Sequence, residues 1–275
     1  MTVDPIAFHD FEQEGWQRAA EYYPDSFGTL TMQTTEPLLD AAGIGPGMRV
    51  LEVATGPGYV AGAAAARGAD VVGLDFSPLM IEEARRRYAG LTFVEGDAEA
   101  LAFDAGEFDA AVMNFGVLHL ARPDLAISES GRVVRRGGRF AFTVWDAPDR
   151  AVGFGVVLRA MDTHGTANVG LPDGPPFFRF SDAGECRRAM TAAGLVDIQV
   201  VTLPLVWRLP SAGALFAAAL RGGVRTSAAL QAQTPDALAA IRRAVHEELQ
   251  RYVDGDSIAL PMSVVLASGQ RSQRT

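Results

Sequence analysis

Short apolar runs, set apart by glycine turns and by mixed stretches of helix length, dominate the middle of the chain. Val50–Val53 is the first run, Asp70–Asp75 the second, Leu91–Glu95 the third, Phe108–Met113 the fourth and Arg139–Trp145 the fifth. Each has strand length and turn residues at its borders, the mark of a buried strand. Helices fill the intervals. One covers residues 59–67 and is closed by Gly68. The next opens at Ser77-Pro78, with serine placed to cap the free amides and proline preset for the first turn. A third covers residues 123–134, after which Gly137-Gly138 turns the chain into the fifth strand. This alternation predicts an α/β, doubly wound, mostly parallel sheet with helices on both faces and right-handed crossovers.

The rhythm breaks at both flanks. Residues 6–42 read as helical pieces rich in aromatics (Phe8, Phe11, Trp16, Tyr22, Tyr23, Phe27) and stop at Gly43. Residues 147–180 carry Pro172, Pro175, Pro176 and many glycines, then Phe177-Phe178-Arg179-Phe180. Helix returns over 181–194 and strand over 195–205; an alanine-rich stretch over 211–252 is largely helical, and Ile258–Ala267 reads as a last strand. That gives seven strands, the last one antiparallel and inserted beside the fifth. The expected organisation is an N-terminal helical lid segment over 1–42, a core over 43–205 and 257–269, and lid or substrate insertions over 147–180 and 209–256. The irregular pieces should cover the mouth of the sheet, where ligands bind at strand C-terminal ends.

Composition narrows the function classes. A chain of 275 residues, 48% hydrophobic, is enough for one large domain with insertions. All 24 basic side chains are arginine, the net charge is −9, and no basic stripe stands out, so nucleic acid ranks low as a partner. The run Arg85, Arg86, Arg87 falls late in a helix, where cations complement the dipole. A single cysteine, Cys186, excludes an intrachain disulfide and a thiolate metal cluster, and the four histidines have no metal spacing, so no metal is expected. The opening Met-Thr-Val-Asp-Pro lacks a charged and then apolar secretory pattern, and no apolar stretch of about 18 residues exists. The expectation is a cytoplasmic protein with no membrane span. The oligomeric state stays open, a homodimer included.

Chemistry concentrates after the first strand. Residues 48–58 read Met-Arg-Val-Leu-Glu-Val-Ala-Thr-Gly-Pro-Gly. Glu52 is a carboxylate inside an apolar strand, a poor place for a charge without a use. Gly56 and Gly58 let a ligand approach bare backbone, and the helix that follows offers amides to an anionic group. A nucleotide-like cofactor site follows. Gly56, Gly58 and Ala61, with Asp75 further on, also satisfy the dinucleotide pattern, which makes an NAD(P)-dependent dehydrogenase the alternative. That alternative has no use for Glu52 or for Asp97, a further acid at the end of the third strand.

Glu52, Gly56, Gly58, Asp75, Asp97, the Asn114-Phe115-Gly116-Val117-Leu118-His119 segment and Arg135-Arg136-Gly137-Gly138 occur in an order that resembles the class I S-adenosylmethionine-dependent methyltransferases, Rossmann-like enzymes, and in particular their small-molecule, type 11, quinone C-methyltransferase-like group. The resemblance covers about residues 30–145. It implies S-adenosyl-L-methionine as cofactor, S-adenosyl-L-homocysteine as product, and methyl transfer to the O, N or C of a small, fairly apolar molecule. A non-catalytic module that only binds the cofactor is a further alternative. The implied cofactor contacts are Thr55, Gly56 and Gly58 in the turn, with Glu52 organising it or meeting the amino group; Asp75 on the ribose; Phe76 and Met80 beside the adenine; Asp97 and Ala98 on the adenine edge; and Asn114 and Phe115 at the methionine end. The family usually has glycine where this chain has Ala54. His119 is the candidate general base, against packing or helix capping. Tyr22, Tyr23, Trp145, Phe178 and Arg179 are the candidate acceptor contacts, against lid packing for the aromatics and a surface ion pair for Arg179.

Overall fold

The computed structural model describes residues 3–166 and 169–273; the first two residues of the chain, two within the 147–180 segment and the last two lie outside it. Three helices come first: α1 (Pro5–Ala19), α2 (Phe27–Thr31) and α3 (Thr35–Ala41). Then β1 (Arg49–Val53), α4 (Tyr59–Ala66), β2 (Asp70–Asp75), α5 (Pro78–Arg87), β3 (Thr92–Glu95), β4 (Phe108–Asn114), α6 (Pro123–Val133) and β5 (Val134–Trp145) follow in the expected alternation. The C-terminal half holds α7 (Val152–His164), α8 (Ala183–Ala192), β6 (Leu195–Leu203), β7 (Val206–Leu209), α9 (Ala212–Arg221), α10 (Arg225–Gln231), α11 (Pro235–Leu249), β8 (Val253–Asp254), β9 (Ser257–Pro261) and β10 (Val264–Arg271).

Local chemistry accounts for the central elements. Burial is nearly complete from Val50 to Val53 and from Val71 to Asp75, as befits strands covered on both faces. Ser77 caps α5 by accepting from the Met80 amide, with Pro78 in the first turn. Gly68 closes the loop after α4 at φ +85°. The seven-stranded sheet runs β3-β2-β1-β4-β5-β10-β6. β1 is parallel to both β2 and β4, while β10 lies antiparallel between β5 and β6. Chain order reverses between β1 and β4, so their C-terminal ends open a crevice at the topological switch point.

Three sequence expectations need correction. Ile258–Ala267 is not one strand. β9 ends at Pro261, which has no amide to donate; Met262 donates instead to the Leu205 carbonyl (2.9 Å) and Ser263 to that of Arg150 (3.1 Å), and the chain passes from a three-stranded sheet (β7-β9-β8) into the main one. Residues 206–209 and 257–261 therefore pair with each other outside the main sheet, and the return to it starts at Val264. Residues 147–180 are not irregular throughout, because α7 occupies thirteen of them. Its glycines fit close approaches: a Cβ on Gly155 would meet the Pro148 carbonyl at 2.1 Å and one on Gly153 the Met262 sulfur at 3.0 Å. β5 starts at Val134, with Gly137 (φ +76°) inside a register shift, and a Cβ on Gly138 would lie 2.3 Å from the Asp109 carbonyl.

Candidate functional site

The β1 turn is built around Glu52. Its Oε2 accepts from the Thr55 hydroxyl (2.5 Å) and from the Ala61 amide (2.7 Å), clamping the loop against the start of α4. Burial pushes the Glu52 carboxyl up to about 8, against the lowering effect of those two hydrogen bonds. The acid in the apolar strand is thus a largely neutral brace at pH 7. Ala54 and Gly56 both take left-handed backbone, at φ +54° and +52°. Open space lies where a Cβ of Gly56 would point, so bare backbone faces the crevice there. Gly58 serves another purpose: it opens α4 at φ +81°, and a Cβ would lie 2.9 Å from the Phe93 ring, so it belongs to packing under the turn.

At the end of β2, Asp75 accepts from the Gly56 amide through Oδ2 (2.8 Å) and from the Ser77 amide through Oδ1 (2.9 Å). Desolvation raises its carboxyl to about 6, opposed by these backbone donors. Each oxygen keeps a further lone pair for a ligand hydroxyl. Asp97, after β3, holds its own turn through the Glu99 amide (2.8 Å). Asp75 and Asp97 line one cavity, and Phe76, Met80, Leu74 and Ala98 line it beside them. Apolar side chains beside two carboxylates make a lining that suits the base and the donor hydroxyls of an adenosine.

The cavity continues past Asn114 and Phe115 into an aromatic chamber formed by Trp16, Tyr23, Phe27, Trp145, Phe154 and Phe177, with His119 and Arg225 on its wall. Asn114 is already engaged. Its Oδ1 accepts from Thr34 (2.8 Å) and Thr143 (2.5 Å) and its amide donates to the Thr31 carbonyl (3.2 Å), tying the α2–α3 segment to β4 and β5. Phe115 sits at φ +56°, its ring centroid 4.1 Å from that of Trp145.

Helix α1 bridges the crevice. Gln13 donates to the Phe76 carbonyl (2.7 Å) on one side, and on the other Glu12 meets His119 Nδ1 at 2.9 Å. Glu12 is fully buried and also accepts from Arg225 Nε (2.8 Å), whose remaining donors reach the Pro175 (2.6 Å) and Leu118 (2.8 Å) carbonyls. Nothing in the local sequence singles out Glu12 or Arg225; the aromatic spacing of Phe8, Phe11 and Trp16 is the one sequence signal that this helix has a buried face.

Three predicted acceptor contacts fall outside the cavity. Arg179 is consumed by Asp124 (2.5 Å) and Glu185 (2.8 Å) and lies over the Phe180 ring, so the surface ion pair is the correct reading. Tyr22 packs under Arg221 (5.3 Å), away from the chamber. Phe178 stands behind the chamber wall, edge-on to Phe154 and Phe177. Tyr23 and Trp145 do line it, with the Tyr23 hydroxyl bonded to Thr31 Oγ1 (2.8 Å). Among the described residues no group of three or more His, Cys, Asp or Glu forms a metal site, and no helix is long and apolar enough to cross a membrane.

A seven-stranded sheet with one antiparallel insertion, a glycine turn after β1 and acids after β2 and β3 define the class I S-adenosylmethionine-dependent methyltransferase fold. Residues 51–142 match the family described as methyltransferase domain, so this part of the chain is such a domain. A demethylmenaquinone methyltransferase of Beutenbergia cavernae is 43% identical over 110 residues, which is 40% of this chain and 46% of that protein. The chain thus spans about half the length of the curated relatives it matches. Among solved structures, YcgJ of Bacillus subtilis superposes with a TM-score of 0.58 at 17% identity, covering 88% of this chain and 99% of that one. A phosphoethanolamine N-methyltransferase of Haemonchus contortus, bound to S-adenosylhomocysteine, gives 0.59 at 18% identity, covering 97% and 60%. At these identities the two structures share the fold with this chain.

Proposed function

We propose that the protein transfers a methyl group from S-adenosyl-L-methionine to a small, fairly apolar molecule. One observation carries this reading: Asp75, Asp97 and the rings of the aromatic chamber line a single cavity, so a cofactor held by the acids would share that space with an acceptor held by the rings. The residues present fit the cofactor. Asp75 would take the ribose hydroxyls, Phe76 and Met80 would flank the adenine, Asp97 would accept from its exocyclic amine, and the bare backbone at Gly56 would pass under the methionine part. When bound, the cofactor supplies an electrophilic methyl on a sulfonium, so the hard chemistry is its own. The chain's residues orient the acceptor in line with that bond and keep water out. Trp145, Phe115 and Phe154 suit both tasks, since they present flat apolar faces at the inner end.

The acceptor's class and the role of each contact are part of this proposal. So are a lid function for residues 1–42 and the later insertions, and a cytoplasmic location, where the cofactor is made. The quinone methyltransferase relatives support an apolar acceptor and leave its reacting atom open, because the family match over 51–142 leaves out Trp16, Tyr23, Phe27, Trp145, Phe154 and Phe177 of the chamber.

Isothermal titration tests the reading. S-adenosylhomocysteine should bind at micromolar strength, and Asp97→Ala should weaken it at least about tenfold through loss of a charge-assisted hydrogen bond. Heat with NADH and none with S-adenosylhomocysteine would reverse the assignment in favour of a dehydrogenase. Cofactor binding with no methylation of any apolar acceptor would leave a binding module.

A further inference from the structure

We infer that Glu12 and His119 form a proton-accepting dyad on the chamber wall, and that the acceptor is a neutral aromatic compound methylated on a hydroxyl. The inference rests on the methyltransferase reading and adds the nucleophile and its base.

The geometry assigns the proton. Glu12 is fully buried and accepts through Oε2 from His119 Nδ1 at 2.9 Å. A carboxylate acceptor places the ring proton on Nδ1, which leaves the lone pair on Nε2. Nε2 makes no hydrogen bond among the described residues, while the ring itself borders the cavity. Trp16 stands edge-on to the imidazole at 4.8 Å and Phe177 at 5.8 Å, so the ring is held from two sides. Arg225 fixes the carboxylate in turn, bonding Glu12 Oε1 at 2.8 Å. A carboxylate, an oriented imidazole and an Nε2 without a partner among the described residues, on a cavity wall, are the parts of a general base.

The surroundings select the acceptor. Among the described residues, Arg225 is the one arginine on the cavity wall, and its donors are spent on Glu12, Pro175 and Leu118. An acceptor carboxylate or phosphate would find no free cation there, and Asp75 and Asp97 of the same cavity would repel it. Flat aromatic walls favour a planar ring. Arg122, three positions beyond His119 in the chain, is paired with Glu99 (2.7 Å). In the reaction the acceptor hydroxyl gives its proton to His119 Nε2. Its oxygen forms the new O–CH3 bond as the methyl–sulfur bond breaks, the electron pair staying on sulfur. The imidazolium is held by Glu12 until its proton passes to water.

The test has two arms, run on wild type, His119→Gln and Glu12→Gln, each first checked for S-adenosylhomocysteine binding so that loss of the cofactor site is separated from loss of the base. In the kinetic arm, naphthols and substituted phenols are offered with S-adenosylmethionine beside their amino and carbon-only analogues. The hydroxyl compounds should be methylated on oxygen. His119→Gln should cut kcat by about 100-fold and Glu12→Gln by about tenfold, and the acidic limb of the wild-type pH–rate profile, where a general base is lost to protonation, should be changed in both variants. In the second arm, nitrogen NMR of the His119 ring in the cofactor-free protein should show the proton on Nδ1 in wild type and a changed tautomer balance in Glu12→Gln, and 1-naphthol should shift its Nε2 resonance. Unchanged profiles and an unchanged ring tautomer would overturn the dyad. Methylation of the amino or carbon analogues alone, or no binding of any hydroxyarene, would overturn the acceptor assignment.

Discussion

Burial raises the proton affinity of both Glu52 and Asp75, and this makes stability depend on pH. Both carboxyls sit above their ordinary values, Glu52 at about 8 against 4.5 and Asp75 at about 6 against 3.8. The folded state therefore binds their protons more tightly than the unfolded chain does. The stabilisation is complete below about pH 4 and is lost as pH rises, through about 6 for Asp75 and about 8 for Glu52. Glu52→Gln keeps an oxygen for Thr55 and Ala61 but has no proton to lose. Its denaturation midpoint should fall less than wild type's between pH 5 and 8, with a difference on the order of a few kcal/mol by the end of the range. Parallel slopes for the two proteins would show that Glu52 is charged throughout. Ala54 carries a different strain. At φ +54° its Cβ crowds the backbone, and Ala54→Gly should raise the unfolding free energy by about 1 kcal/mol in urea titrations, the relief being partly offset by the flexibility of glycine in the unfolded chain.

At the scale of elements, α1 is the piece whose position matters most to the site. It is tied across the crevice by Gln13 at Phe76 and by Glu12 at His119 and Arg225. Arg225→Leu would leave Glu12 buried with one partner. We expect a loss of about 2 kcal/mol, less than for a fully buried pair because the guanidinium keeps some exposure. Amide exchange should then speed up in Pro5–Ala19 and Arg225–Gln231 while β1 and β4 stay protected; uniform acceleration would place Arg225 in the global core instead. The central elements were readable from the chain because each is decided locally: apolar runs of strand length, Ser77-Pro78 at a helix start, Gly68 at a helix end. α7 was not, because its glycines depress helix propensity and the reason for them, contact with Pro148 and Met262, lies elsewhere in the chain.

For the whole molecule, residues of the sheet and of the flanking helices line one cavity, so a ligand that binds only the folded state should stabilise all of it. S-adenosylhomocysteine at 100 times its Kd should add about 2.7 kcal/mol and raise Tm in a single transition. Two separated transitions, with only the earlier one moving, would mean that the lids fold apart from the sheet.

The sequence by itself determined the doubly wound sheet, the glycine turn and the carboxylates inside β1, at the end of β2 and after β3, since strand period, turn chemistry and the spacing of acids along a βαβ unit are properties of neighbouring residues. Only the tertiary structure decided which residues close the chamber. Glu12 looks like a surface acid until Arg225, 213 positions away, and His119, 107 positions away, are brought to it. Arg179 looks like an anion anchor until Asp124 and Glu185 occupy it. A charge inside a fold takes its role from partners that the chain supplies at long range, and no local pattern encodes them.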